Sequence, residues 1–187
     1  MTCDSVTKLI PLYYYGDLKP EEEDLFDQHL HECAACTAEM ERQRVPVFGG
    51  YFDPEFELWS KLLFNKIQNG EVKMLYSQMT ETELEGAPER VKNLIKSIPD
   101  NHIEYLSITK EANDLAELYI SEDVVGKTSR ADCIHIALAT LNHADILASW
   151  NFKHIVNVSR IRGYNGVNYK HGHQFLEIRT PREIVEI

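Results

Sequence analysis

No apolar run in the 187 residues approaches the roughly 20 needed to cross a bilayer. The N-terminus, Met1-Thr2-Cys3-Asp4, lacks the basic start and apolar stretch of a signal peptide. Both absences predict a cytoplasmic protein that does not enter a membrane. Internal repeats and low-complexity tracts are also missing, so neither a repeat array nor a disordered chain is expected. Positive charge is scarce. Residues 1–44 carry four Lys/Arg against ten Asp/Glu, residues 45–187 fifteen against twenty, and the net charge is −11. That balance excludes a passive nucleic-acid coat protein, which should be basic. Contact with nucleic acid would need a local basic patch or bound cations; otherwise the partner is a protein. Cysteine is sparse and unevenly placed, with three of four in the first 36 residues and Cys133 far away. In a reducing cytosol that clustering points to a metal site rather than a disulfide framework.

Hydrophobic residues make up 43% of the chain, enough for a buried core. The length suits one small module joined to one compact domain. The best boundary lies near Arg42 to Gly50, where Val45-Pro46-Val47-Phe48-Gly49-Gly50 should stop a helix and permit a turn. Before it, Val6, Leu9 and Ile10 share one helical face. Tyr15-Gly16-Asp17 reads as a turn. Pro20 fits the first turn of a second helix, with Glu21, Glu22, Glu23 and Asp24 at its positive end. Leu25, Phe26, His29, Leu30 and Cys33 follow at steps of three and four, one face of that helix.

Beyond the boundary, helices and strands alternate. Helices are expected at Phe56 to Ile67, Thr80 to Leu84, Glu89 to Ile98, Lys110 to Ile120 and Ser129 to Asn142. Strands are expected at Val72 to Tyr76, Ile103 to Ile108 and Ile146 to Ser149. The alternation favours a parallel sheet covered by helices.

His29 and Cys33 are four apart, on one face of a helix, and Cys36 follows in C-x-x-C spacing. With Cys3 they form a Cys3-His set of the kind zinc prefers, and four protein ligands leave no open position for catalysis, so the site is read as structural. A C-x-x-C pair can instead be redox-active. His31 is the alternative ligand, but its His-x-Cys spacing puts it on another face. This stretch resembles the zinc-containing anti-sigma-factor family over nearly all of residues 2–42: Thr2-Cys3-Asp4, Leu9-Ile10-Pro11-Leu12-Tyr13, Gly16-Asp17-Leu18, Pro20-Glu21-Glu22 and His29-Leu30-x-x-Cys33-x-x-Cys36. The resemblance implies a helical module, with Cys3, His29, Cys33 and Cys36 holding zinc, that binds a sigma factor. Lys19 stands where the family has a Ser or Thr cap, which weakens the cap by ~1 kcal/mol.

The longer part carries Phe48-Gly49-Gly50-Tyr51-Phe52-Asp53, Trp59-Ser60-Lys61-Leu62, Thr82-Glu83-Leu84-Glu85, Ala131-Asp132-Cys133-Ile134-His135-Ile136-Ala137-Leu138-Ala139, Ser149-Trp150-Asn151-Phe152 and Ile161-Arg162-Gly163-Tyr164-Asn165. Together these resemble the PIN-domain family, metal-dependent ribonucleases of many toxin–antitoxin pairs. The resemblance implies acidic residues at the C-terminal edge of a parallel sheet that hold magnesium or manganese for hydrolysis of single-stranded RNA. By motif position Glu83 and Asp132 match two of them, as metal ligands and catalytic groups, and Asn151 sits at a third catalytic position that is often Asp. Arg44 occupies the first acidic position, within Gln43-Arg44-Val45-Pro46-Val47-Phe48 where the family has its opening strand, and a cation there repels a metal ion. Pro46 removes a donor from that strand. Asp53 is a poor substitute, lying beyond the strand.

Bland alternatives stand beside these roles. Asp132 also fits a capping box with Ser129, Glu83 a solvated helix face, and Cys133 and His135 packing positions. Lys153, His154, Arg160 and Arg162 form a basic cluster suited to RNA phosphates or to a solvated loop. The expected architecture is therefore α/β. An all-α zinc module spans residues 1–44, and a PIN-like three-layer α/β/α domain with a central parallel sheet and a degraded first strand spans 45–187. The expected function is zinc-dependent regulation with an impaired nuclease site. The alternative is a non-enzymatic regulator of a sigma factor or other regulatory protein, with the PIN-like domain as scaffold or homo-oligomerisation unit.

Overall fold

The computed structural model describes residues 1–48, 54–87 and 89–187. It opens with three helices. Helix α1 (Cys3–Tyr15) starts where the Thr2 side chain accepts a hydrogen bond from the Ser5 N–H, satisfying one of the unpaired donors of the first turn. It ends at Gly16, whose φ of 69° is left-handed and favours glycine. Helix α2 (Pro20–Glu32) begins on proline, whose missing N–H is harmless at that position. As expected, Lys19 supplies no side-chain cap; the Glu22 carboxylate instead accepts from the Lys19 N–H at 3.3 Å. Cys33, with extended backbone at φ −128° and ψ 93°, breaks α2 and leads into α3 (Ala34–Phe48). Val6, Ile10, Tyr14, Leu18, Phe26 and Cys36 form one small core. The Tyr14 hydroxyl donates to the Met40 carbonyl at 2.6 Å and ties α1 to α3. Leu25, placed with the apolar stripe by sequence, is 51% exposed.

The chain continues as α4 (Pro54–Gln68), β1 (Met74–Ser77), α5 (Gln78–Leu84), α6 (Glu89–Lys96), β2 (Ile103–Leu106), α7 (Lys110–Ser121), α8 (Arg130–Leu141), β3 (Ile146–Ala148), α9 (Val158–Lys170), β4 (Glu177–Arg179) and α10 (Pro181–Val185). A second core gathers around α7, α8 and α9, with Leu115, Tyr119, Ile136, Leu138, Tyr164 and Val167 sealed from solvent. Helix α8 is apolar on nearly every face because neighbours surround it. Asn168, fully buried, accepts from the Tyr119 hydroxyl at 2.6 Å and donates to Thr140 at 3.2 Å, so its burial is compensated.

The expected single central sheet is not what forms. Among the described residues there are two separate parallel pairs, β1 with β2 (Met74 opposite Ile103) and β3 with β4 (Ile146 opposite Glu177). The physical reason lies in α3. Once nucleated at the Cys33 turn, the helix runs on to Phe48, through the residues that would have made the opening strand. Arg44 therefore lies on a helix. No strand stands between the two pairs among the described residues. The expected helix stop at Val45-Pro46 falls inside α3 as well, while Gly49 to Asp53 lie outside the described residues. The structure also adds α9, β4 and α10, for which no element was expected. No described helix is long and apolar enough to cross a membrane.

Candidate functional site

The backbone assembles the cysteine–histidine set from three element ends. Cys3 sits in the first turn of α1, His29 in the last turn of α2, Cys33 at the break between α2 and α3, and Cys36 in the first turn of α3. Thr37 fixes that break, its hydroxyl donating to the carbonyls of Leu30 at 2.8 Å and Cys33 at 3.1 Å. The four ligand atoms lie within 4.8 Å of one another, and no other group of three or more such residues meets this condition among the described residues. His31 is not part of the set.

Geometry decides whether zinc fits. A tetrahedral ion with bonds of about 2.3 Å to sulfur and 2.05 Å to imidazole nitrogen sets edges of about 3.8 Å between sulfurs and about 3.6 Å from sulfur to nitrogen. Cys3 Sγ lies 3.8 Å from Cys33 Sγ and 3.6 Å from His29 Nε2. The thiols also compete for protons. The Cys36 N–H and its thiol hold Cys33 below the ordinary thiol range, while burial and the neighbouring sulfurs push Cys36 up to about 12. A cation relieves that competition by taking all the sulfurs as thiolates. The donor set thus fits a structural zinc finger.

The acidic residues of the longer part are arranged differently. Asp132, in the first turn of α8, accepts from Asn151 Nδ2 at 2.9 Å, and Asn151 Oδ1 accepts from the His154 N–H at 3.0 Å. Burial drives the Asp132 pKa up to about 6, with His135 and Asn151 pulling the other way. Glu83, on α5, is exposed and meets His135 Nε2 at 3.1 Å. Glu83 and Asp132 are close enough to interact electrostatically, yet no third carboxylate, His or Cys completes a metal group with them among the described residues. Ser129 makes no side-chain cap on α8, so the capping-box explanation of Asp132 does not hold; its hydroxyl lies 3.3 Å from His154 Nδ1. Cys133 is fully buried, as a packing residue should be, whereas His135 is engaged with Glu83.

One residue was missed by sequence reasoning. Glu23 is 1% exposed, with Lys153 Nζ at 2.6 Å, His154 Nε2 at 3.3 Å and Arg160 Nη2 at 3.5 Å. Three members of the basic cluster therefore grip the zinc module, while Arg162 stays exposed. A signal was present. Glu23 shares the helical face of Phe26 and Leu30, so a carboxylate interrupts an apolar stripe.

The comparisons agree with the metal geometry over its own extent. A family model described as "Putative zinc-finger" matches residues 3–37. The chain is 47% identical over 36 residues to the "Anti-sigma-YlaC factor YlaD" of Bacillus subtilis (strain 168), a match spanning 19% of this chain and 37% of that protein. No solved structure matches the chain.

Proposed function

We propose that the protein is a zinc-dependent transcription regulator whose N-terminal module, residues 1–44, binds a sigma factor, with residues 45–187 as a PIN-like scaffold docked against it. The supporting observation is the Cys3–His29–Cys33–Cys36 set, gathered within 4.8 Å and with the Cys3–Cys33 and Cys3–His29 edges at tetrahedral zinc distances, in the segment that is similar to an anti-sigma factor. Structural zinc would fix the mutual angles of α1, α2 and α3, and with them the exposed Leu12 and Leu25, at 43% and 51% exposure, as apolar contacts for a partner. Co-purification with each sigma factor of the same genome tests this. Binding lost in Cys33→Ser supports it; failure of the zinc-loaded protein to bind any of them removes it.

A second reading keeps the nuclease: a PIN-type endoribonuclease in which Glu83 and Asp132 hold magnesium or manganese and Asn151 orients a ligand or water. The raised pKa of Asp132 and its hydrogen bond to Asn151 favour it. The pairing of Glu83 with His135 and the course of α3 through the opening strand weigh against it. Cleavage of single-stranded RNA in Mg²⁺ or Mn²⁺, absent in Asp132→Asn, would establish it. No cleavage by the folded protein leaves the scaffold.

A further inference from the structure

Glu23 reaches from α2 into a seat made entirely by the longer part of the chain. Lys153 Nζ and His154 Nε2 face its Oε1, and the Arg160 guanidinium faces its Oε2. Arg160 also donates to the carbonyls of Leu18, at 3.1 Å, and Val124. Lys153 Nζ stands 3.1 Å from the centroid of the Tyr13 ring, a cation–π contact. The His154 ring is neutral, because burial and the adjacent Lys153 and Arg160 force its pKa down to about 3. Two cations and a neutral imidazole thus surround one carboxylate. Around this contact the surfaces are close. Asp24 accepts from the Lys127 N–H at 3.0 Å, and a β-carbon on Gly16 would strike the Lys153 carbonyl oxygen.

Without the zinc module, Lys153 and Arg160 would lose the Glu23 carboxylate, and Asp132 would be the acid left near Lys153. A pair of cations relieved of its carboxylate is a seat for another anion. Arg and Lys together are phosphate ligands, the one a planar fork and the other a point charge. The seat is also wired to the acidic site, since His154 N–H, Asn151 and Asp132 form one chain of hydrogen bonds. A protein of net charge −11 has no diffuse attraction for nucleic acid, so a strand could be held only at a focused basic seat of this kind.

We infer that Lys153, Arg160 and His154 form a binding seat for a backbone phosphate of single-stranded RNA, occupied in cis by the Glu23 carboxylate of the zinc module. RNA binding and module docking then exclude each other, and each weakens the other by the same factor. The choice of ligand rests on the nuclease reading of the longer part, but the test reads binding and needs no cleavage.

The test uses the full, zinc-loaded chain and a short fluorescein-labelled oligouridylate, followed by anisotropy without added Mg²⁺ or Mn²⁺. Glu23→Gln should bind at least about tenfold more tightly than the unsubstituted protein, a change of ~1.4 kcal/mol, and the gain should shrink as salt is added. Adding Lys153→Gln to Glu23→Gln should abolish the gain. Gly16→Ala, which leaves the carboxylate in place and pushes the module off the Lys153 carbonyl, should raise binding as well, and it decides the matter if Glu23→Gln fails to fold. Equal binding by Glu23→Gln and the unsubstituted protein, or a gain that survives Lys153→Gln, overturns the inference. Sigma-factor binding, measured on the same preparations, stands or falls separately.

Discussion

Six buried residues make the core of the zinc module, against seventeen in the cluster around α7, α8 and α9, counted among the described residues. The larger cluster can stabilise its surroundings by burial alone. The smaller one cannot offset the ordering of three helices and leans on two external supports: a metal at one end and the Glu23 seat at the other. The same comparison explains the polar chemistry. In the larger core the buried polar groups are neutral and mutually hydrogen-bonded, as with Tyr119, Asn168 and Thr140. Where the module docks, the buried groups are charged.

Loss of the metal should separate the two regions most clearly. Cys33→Ser removes one of four ligands from a site whose binding energy is folding energy, which reaches ~10 kcal/mol or more in isolated zinc fingers. The variant should purify with less than stoichiometric zinc. In hydrogen exchange, the amides of α1 to α3 should lose protection while those of α7 to α9 keep theirs. Equal loss in both would mean that the larger core depends on the module and is not stabilised by its own burial.

Glu23→Ala comes next. Truncating one side of a buried ion pair leaves the partner charges uncompensated, at ~3–5 kcal/mol. Urea unfolding followed by tryptophan fluorescence, which reports on Trp59 and Trp150 of the longer part, should show the midpoint fall. A change within ~0.5 kcal/mol, the range of ordinary surface substitutions, would mean that the seat is wet and the docking loose.

The legibility of the two regions differed for physical reasons. The zinc ligands could be read because metal spacing is local: His29, Cys33 and Cys36 lie within two helical turns, and only Cys3 had to be brought from afar. The helices α4, α7 and α8 and the strands β1, β2 and β3 were also visible, α8 and β3 as apolar runs and the others by their local apolar pattern. Three things were not. Helix α3 outran the Val45-Pro46 signal because an established helix propagates more readily than a new element starts. Helix α9 was hidden because Val158 to Lys170 mixes glycines, asparagines and basic residues, and its buried side chains include Arg160 and Asn168, which carry no apolar signature. Glu23 was hidden because its partners lie about 130 residues away, and a run of four acids at a helix start already has a sufficient local explanation.

His154 gives a smaller effect with a defined sign. Its folded pKa, near 3, lies below the ordinary 6.5, so the unfolded chain binds more protons between those values and stability falls as pH falls through that window. The slope is at most ~1.4 kcal/mol per pH unit. Asp132, raised to about 6 from 3.8, acts in the opposite sense: its contribution is complete below 3.8 and lost as pH rises through 6. Urea midpoints at pH 7, 6 and 5 should therefore show a loss toward acid that is smaller in His154→Gln than in the unsubstituted protein. Identical slopes would show that the ring takes up its proton as readily in the folded as in the unfolded chain, so that burial does not hold it neutral.

The smallest contrast sets one cap against another. Thr2 caps α1, its side chain accepting from the Ser5 N–H at 3.3 Å, and the next residue is the zinc ligand Cys3. Thr180 caps α10 with the same chemistry, accepting from the Glu183 N–H at 3.2 Å while Glu183 accepts in return. Replacing either by alanine should cost ~1 kcal/mol of helix stability. The loss should appear in different places. Thr2→Ala frays the turn that carries Cys3, so competition with a zinc chelator should show metal affinity reduced several-fold, with the urea midpoint of the longer part unmoved. Thr180→Ala should lower that midpoint and leave zinc affinity unchanged. If Thr2→Ala left zinc affinity intact, Cys3 would be held by the metal rather than presented to it, and the first turn of α1 would form only after the ion had bound.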